Sequence, residues 1–554
     1  MFLFKVIPWR NNKLTYQDTN ASFILESDNW NDYHYYTVYH IHIGAQILGD
    51  GKSDYLGGIK ILKKGQRENQ QNLVPTSFNS LGAEFCSFCS SLDYFEKLNR
   101  YLSKDERKEL MNALRDITYD KNIITEFEGE EGLEKSFFRN SSLSDDIFKL
   151  APLYIKDEFN LLADIKEDII IKLNNFQNEL VLNFSTANDL NYEDIPDRVN
   201  VLIGKNGCGK STILYNICKL LYASSDQRAK FKTRIGSITP NGIGFTKLIC
   251  ISYSPFDCFE IPGFSYLDKE TICKGIEGGE GRFIYCGIRN IAEEVKLNLK
   301  KYQEQELNNV DSFFIDRIDK TLLKDINQLG IEFADLFSKV RKDSKQSELL
   351  NNCIEILNLD SSLTEFISEM EDLGSMNQED QIIAFFNKLS TGHKFVMHAI
   401  MNLVYYTQPL SLVLFDEPEN HLHPPLLAVF MKTIRMLLKE KKSVMIVTTH
   451  SPVILQETLH TNVNIIRRSG ANISINNPML QTFGENVGLI TSQVFDLTSD
   501  VTDYHEVLDS LLKQDYRNFY NYGNSITNLE KCLGGQLSNQ TYMYLINKIH
   551  SKQQ

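Results

Sequence analysis

The chain is expected to fold as an α/β protein built on a mostly parallel central sheet. A β-rich N-terminal part, helical insertions and a mixed C-terminal tail complete the expected architecture. Three observations predict it. The run Val199–Ile203 is followed by the glycine-rich stretch GKNGCGKS (Gly204–Ser211), a strand–loop–helix pattern. Two further apolar runs, Leu412–Phe415 and Val444–Val447, show no alternation, as expected of strands covered on both faces. Each ends in polar residues, Asp416-Glu417 and Thr448-Thr449-His450, at the edge where such sheets bind ligands.

Taken in order, residues 1–75 read as β-rich: Tyr39, Ile41 and Ile43 alternate with Val38, His40 and His42, the period of a half-buried strand. Residues 76–150 read as a helical insertion, with Leu92, Phe95, Leu98 and Leu102 three or four apart. Residues 151–287 hold a hairpin near 168–185, the glycine-rich loop and a further buried strand around Leu248–Ser252, and form a first lobe. Residues 288–380 read as a helical arm in which Leu307, Val310, Phe314, Ile318, Leu322, Ile326 and Leu329 recur and Gly330 is the expected stop. Folded back on itself, this length makes a short arm rather than a long coiled coil. Residues 381–475 form a second lobe, and 476–554 a tail suited to binding a partner.

The 554 residues are 42% hydrophobic and carry a net charge of −14. Such a chain can build large cores, but it is a poor sequence-independent coat for DNA, which needs clustered Lys and Arg. Lys60, Lys63, Lys64 and Arg67 are the candidate for a local basic groove, against the alternative of a solvated loop. Ten scattered cysteines, one of them Cys208 inside the glycine-rich loop, read as reduced thiols of a cytoplasmic protein. Cys86 and Cys89 make one C-x-x-C without a second pair at zinc spacing. His40/His42 and His421/His423 are two further pairs of metal-ligating type, each lacking an evident third ligand. The N-terminal decapeptide does not have the charge order of a secretory signal, and no apolar run is long enough to span a membrane.

The chemistry-bearing residues come in a fixed order. Gly204, Lys205, Asn206, Gly207, Cys208, Gly209, Lys210, Ser211 and Thr212 fit a phosphate-cradling loop, because glycines turn backbone N–H groups inward and the helix N-terminus favours an anion. Lys210 is expected to reach the β- and γ-phosphates of ATP, and Ser211 to hold Mg²⁺. Asp416 is the second Mg²⁺ residue, Glu417 the general base and His450 the sensor of the terminal phosphate. Leu389-Ser390-Thr391-Gly392 opens a helix and makes a second anion site. One nucleotide does not need two such sites. Ser390 and Gly392 are therefore assigned to the ATP of a second copy, in a head-to-tail homodimer or a higher even-numbered oligomer.

Those motifs resemble the ABC-type P-loop ATPases over roughly residues 150–470. The form FDEPENHLHPP is similar to the branch of overcoming-lysogenization-defect and recombination-repair ATPases rather than to transporter subunits. A narrower resemblance rests on DNWNDYHYYTVYHI, SLDYFEKL, ALRDITYD, VLIGKNGCGKST, ISYSPFD, THSPVILQE and TFGENVGLITSQVF. Together these are similar to the ATPase subunit of Septu anti-phage systems, including retron-associated forms. The resemblance implies a regulatory ATPase whose nucleotide state controls a separate HNH-type nuclease, in some forms with a retron reverse transcriptase and its RNA–DNA hybrid. Two positions depart from the family pattern. Asp257, in Ser254-Pro255-Phe256-Asp257, stands where a glutamine is usual and is the candidate replacement near the metal. His393 stands where the signature carries Gln or Glu. Both departures favour a slow switch over a fast motor. The competing reading is a DNA-repair or chromosome-maintenance ATPase that grips DNA itself. An intrinsic nuclease would need a metal-binding acidic set, which Glu485, Asp500 and Asp503 do not form by spacing. A transporter subunit would need a membrane partner.

Overall fold

The computed structural model describes residues 1–8, 20–29, 34–49, 52–71, 73–159, 162, 165, 167–184, 195–257, 259–304, 321–373, 379–494, 503–516 and 522–551. Within it, Met1–Glu485 form one compact unit and Asn486–Gln554 another.

The described residues of the larger unit form three sheets. The first has strands β1 (Phe4–Ile7), β2 (Phe23–Ser27), β3 (Val38–Ile43), β4 (Asp54–Lys63), β5 (Ser77–Phe78) and β6 (Phe85–Phe88), in the order β5-β1-β2-β3-β4-β6. The alternation read in β3 holds as far as Ile41, with Val38 and His40 half-buried and Tyr39 and Ile41 buried; a register shift follows, and His42 is buried along with Ile43. The helices Leu92–Tyr101, Lys104–Leu114 and Ile147–Lys156 share one core with this sheet, through Phe95, Leu98, Leu110 and Tyr154 among others. Residues 76–150 were expected as a helical insertion. Their first strands instead close both edges of the sheet, and their helices cover it, because neither layer could bury its apolar face alone.

Lys60, a member of the candidate basic groove, is buried. Its ammonium donates to the Ser136 carbonyl at 2.6 Å and pairs with Asp226 at 3.1 Å. It is an internal tether and not part of a surface groove. Cys86 and Cys89 are also buried, and burial pushes both thiols up. His40 lies between Asp28 and Tyr55, at 3.0 and 3.3 Å.

A small second sheet holds the expected hairpin, β7 (Ile169–Leu173) and β8 (Leu180–Leu182), joined on the other side of β7 by β10 (Gly236–Thr239). The third sheet is central. It contains β9 (Val199–Ile203), β11 (Leu248–Ser252), β12 (Phe283–Gly287), β13 (Leu412–Asp416), β14 (Val444–Thr449), β15 (Val463–Ser469) and β16 (Asn472–Asn476), in the order β12-β11-β13-β14-β9-β15-β16. All neighbours are parallel except the β15–β16 hairpin. Strands β9, β11, β13 and β14 are buried throughout, as non-alternating apolar runs require. The register aligns Ser252, Asp416, Thr448 and Leu202 in one row at the C-terminal edge.

The helix Lys210–Tyr222 follows β9. Two buried arginines satisfy its last carbonyls: Arg228 Nε donates to Leu220 at 2.7 Å, and Arg282 donates to Leu221 and Tyr222 at 3.1 and 2.7 Å. Cations there also complement the helix dipole.

In the arm, Leu307, Val310, Phe314 and Ile318 lie outside the described residues. Leu322 precedes the next helix, Ile326–Lys342, which Asp325 opens with a capping box. Gly330 does not stop that helix but sits inside it. A Cβ at Gly330 would lie 3.3 Å from Ile383 of the helix Glu379–Lys388, so the glycine permits close packing there.

The smaller unit is helical in its described residues, with helices Val487–Val494, Asp503–Tyr516, Tyr522–Cys532 and Asn539–Ser551. Leu508, Leu512, Leu529 and Leu545 form its core.

Candidate nucleotide-binding site

The loop after β9 has the backbone its glycines were expected to allow. Gly207 and Gly209 have φ of +78° and +97°, a region strained for any residue with a Cβ. A Cβ at Gly204 would lie 2.5 Å from the Ile466 carbonyl oxygen, so β15 presses against the loop from behind. Cys208 is buried, and burial raises its thiol. Lys205, Asn206 and Thr212 are exposed. Lys210 is buried in the first turn of the following helix. Its Nζ donates to Gly204 O at 3.3 Å, lies 2.5 Å from His450 Nε2 and is 3.9 Å from Glu417 Oε1.

Across the sheet edge, the Ser211 hydroxyl donates to Asp416 Oδ1 at 3.1 Å, and the Thr448 hydroxyl donates to the same oxygen. Burial pushes the Asp416 carboxyl up to about 6, against the lowering effect of these two hydroxyls. Glu417 takes a left-handed φ of +49°, and its N–H donates to the Thr448 carbonyl at 3.0 Å. Its carboxylate lies 3.3 Å from His450 Nε2 and 3.4 Å from Asn420 Nδ2. The His450 hydrogen bond, with help from Asn420 and Lys210, outweighs burial and holds the Glu417 carboxyl below its usual range. Glu417 is thus kept ionised, the state a general base needs. The His450 main-chain N–H donates to Glu419, a half-buried carboxylate pushed up by desolvation. Lys210, Ser211, Asp416, Glu417 and His450, spread over 240 residues of sequence, meet at one edge of one sheet.

Sequence reasoning passed over Thr448 and Glu419 as individual roles. Both are neighbours of residues it did assign, inside TTH and DEPEN, which is the only signal they carry.

The Ser390 corner is built separately. Ser390 is exposed and caps the helix Thr391–Tyr406, its Oγ accepting from His393 N at 3.3 Å. Gly392 lies so close to the loop after β13 that a Cβ would be 2.8 Å from His421 O. His421 is left-handed, with φ of +70°. His423 caps the helix Pro424–Glu440, its Nδ1 accepting from Leu426 N at 3.2 Å. No group of three or more metal-ligating side chains occurs among the described residues.

Asp257 is placed differently from expectation. Its carboxylate is fully buried, bonded to the Arg289 guanidinium, to Tyr285 Oη at 3.0 Å and to Phe259 N at 3.2 Å. Arg289 in turn pairs with Glu294 at 2.5 Å. With both oxygens committed, Asp257 is a structural anion and not a spare metal ligand. An aspartate buried beside an arginine is held by that charge, a pairing its local sequence does not announce.

These residues fit ATP with Mg²⁺. The glycine cradle leaves room where a Cβ would intrude, Lys210 supplies a buried cation, and Ser211 and Asp416 offer adjacent oxygen donors of the kind Mg²⁺ takes. The parallel sheet, the loop at the N-terminus of the helix after β9 and the acidic end of β13 define a P-loop ATPase fold of ABC type.

Part of the chain matches an ATPase family, and the whole is similar to several known proteins. The model for the AAA ATPase domain (AAA_15) matches residues 285–455, a span that includes Ser390, Asp416, Glu417 and His450 but not the phosphate loop. Protein ea59 of Escherichia phage lambda is 29% identical over 524 residues, covering 92% of each chain. Endonuclease GajA of Bacillus cereus (strain HuB5-5) is 22% identical over 327 residues, 54% of this chain and 44% of that one. Among solved structures, a nucleotide-free ATP-binding cassette from an ABC transporter aligns over 56% of this chain and 92% of its own, at 12% identity and a TM-score of 0.25. The SMC head domain from Thermotoga maritima aligns over 57% and 99%, at 14% identity and a TM-score of 0.24. No described helix is long and apolar enough to cross a membrane.

Proposed function

We propose that the chain is a slow, switch-like ATPase whose two copies close around ATP, and that it regulates an HNH-type nuclease in an anti-phage defence complex. A retron reverse transcriptase with its RNA–DNA hybrid is a further candidate partner. The observation that carries the ATPase reading is the convergence of Lys210, Ser211, Asp416, Glu417 and His450 at the sheet edge. Bound ATP with Mg²⁺ would supply the phosphoryl group and its charge neutralisation. Lys210 and the loop amides would hold and orient phosphate oxygens, Ser211 and Asp416 would hold the metal, and Glu417 would accept a proton from the attacking water. His450, whose Nε2 lies 2.5 Å from Lys210 Nζ and 3.3 Å from Glu417 Oε1, would respond when the terminal phosphate arrives. Closure by a second copy brings its Ser390 and Gly392 to that phosphate.

The Septu-like motifs support the defence reading, and the similarity to an endonuclease is in keeping with it. The test is purification of the chain with the products of adjacent genes, followed by ATP turnover and DNA cleavage assays. Recovery of a nuclease whose cleavage changes with ATP supports the proposal. A chain that purifies alone and cleaves DNA by itself in Mg²⁺ would replace it with an endonuclease reading, after the GajA relative. Tight, salt-sensitive binding of duplex DNA by the isolated chain would replace it with the repair reading.

A further inference from the structure

Asp360 is 7% exposed and lies in the turn between the arm helices Ser344–Leu357 and Thr364–Leu373, remote in sequence from every nucleotide motif. Its Oδ1 accepts from Ser362 N at 2.9 Å and from Ser362 Oγ at 2.6 Å. That hydroxyl has one proton, given to Asp360, so toward His393 Nε2 at 3.0 Å it acts as acceptor. His393, itself buried, therefore carries its proton on Nε2, and its ring stands edge-on to Phe366, with centroids 5.2 Å apart. The other oxygen of Asp360 is 4.0 Å from His423 Nε2. Because His423 Nδ1 accepts from Leu426 N, its proton too is on Nε2, facing the carboxylate.

One carboxylate of the arm thus reaches His393 through the Ser362 hydroxyl and stands 4.0 Å from His423, on a different element. His393 is in the first turn of the helix that Ser390 caps, and its N–H is the one Ser390 caps. His423 ends the loop that begins at Glu417. Between them, Gly392 is pressed against His421 O, so the two elements touch directly. The helix start is thus contacted by the arm on one side, through His393, and by the loop after β13 on the other, at Gly392.

We propose that Asp360, Ser362 and His393 are positioning residues that hold the Ser390–Gly392 corner in register with the loop after Glu417, so that the corner can meet the nucleotide bound by a second copy of the chain. This rests on the ATP-sandwich reading above. It assigns His393 a role that the usual Gln or Glu at that position would fill differently. The arm becomes part of the catalytic geometry of the neighbouring chain, without touching either nucleotide.

The experiment uses full-length chains. Asp360→Ala should bind a fluorescent ATP analogue within about twofold of the parent while its kcat falls by on the order of tenfold, with little change in KM. Asp360→Asn, which keeps the acceptor for Ser362, should recover most of the rate. Mixing Asp360→Ala with Lys210→Ala should restore activity, because the Lys210→Ala chain lends an intact corner to the intact phosphate loop of the other. Random pairing makes half the dimers mixed with one competent site each, about a quarter of the parental rate. A mixture of Ser390→Ala with Lys210→Ala is the control. If the control recovers activity and the Asp360→Ala mixture does not, Asp360 acts in its own chain and the proposal is wrong. Parental turnover by Asp360→Ala alone also overturns it. If the control itself fails, the sandwich reading falls first. Should Asp360→Ala not bind the analogue, Ser362→Ala takes its place in the mixture: recovered activity supports the proposal, and no recovery overturns it.

Discussion

Ser211 donates its hydroxyl to Asp416 across 3.1 Å, linking residues 205 positions apart in the chain. The contact ties the first turn of the helix after β9 to the end of β13, two strands away in the sheet. It also brings together the two oxygen donors expected to share a metal, and it does so where the carboxyl is buried. A desolvated carboxylate held by neutral hydroxyls is poised for a cation, because a divalent ion would relieve the cost that burial imposes.

The pH dependence of Mg²⁺ binding follows from that burial. Asp416 ionises near 6 in the folded chain, against an ordinary value of 3.8. Between those values the native state holds a proton that the unfolded chain releases, so this group's contribution to stability declines as pH rises from about 4 to 6 and is level above. Mg²⁺ competes with that proton. Its affinity in the presence of ATP should weaken by up to about tenfold per unit below pH 6 and be flat above, as read by Mg²⁺ titration. Asp416→Asn should bind weakly and without the step; a step that persists would assign the titration to another group.

Lys210→Ala removes the cation of the phosphate loop and should weaken ATP binding by on the order of a hundredfold or more, measured by calorimetry. Glu417→Gln keeps size and hydrogen bonding but cannot take a proton. Turnover should fall by at least about a hundredfold while ATP still binds, with a dimer accumulating in light scattering. Hydrolysis by Glu417→Gln at the parental rate would remove Glu417 as the base.

Replacing Asp257 by Asn should separate structure from metal binding. The Arg289 guanidinium would lose its buried counter-charge on that side, a change that costs about 3 to 5 kcal/mol in comparable pairs. Glu294 remains as a partner, so the lower end is expected. Urea unfolding should show the loss, while Mg²⁺ affinity at pH 8 stays within about twofold. A large loss of Mg²⁺ affinity in a chain of parental stability would return Asp257 to the metal site.

Arg282→Met should be as costly, about 3 to 5 kcal/mol. The guanidinium serves the carbonyls of Leu221, Tyr222 and Phe245, at 3.1, 2.7 and 2.9 Å, and lies 3.8 Å from Asp93. Met fills the volume but leaves those acceptors and Asp93 without their cation. Because these bonds end the helix that follows the glycine-rich loop, thermal melting should fall with and without ATP. An unchanged melting temperature would show that the helix end needs no such cap.

The glycine-rich turn after β9, the acidic end of β13 and the position of His450 just past β14 were legible because each is a local pattern. Glycines at 204, 207 and 209, a lysine at the next helix position and a polar group ending a doubly covered strand are requirements written into neighbouring residues. The strand alternation through Tyr39 and Ile41 was legible for the same reason, whereas the register shift that buries His42 was not. The tertiary structure alone decided the partners: that Asp257 belongs to Arg289, that Lys60 is an internal tether, that residues 76–88 complete the N-terminal sheet, and that Asp360 in the arm reaches His393 beside the Ser390 corner. Each of those outcomes turns on which buried charge or open sheet edge is satisfied by which distant segment. Desolvation sets that choice, acting on groups that are brought together only when the layers pack, and no run of adjacent letters encodes it.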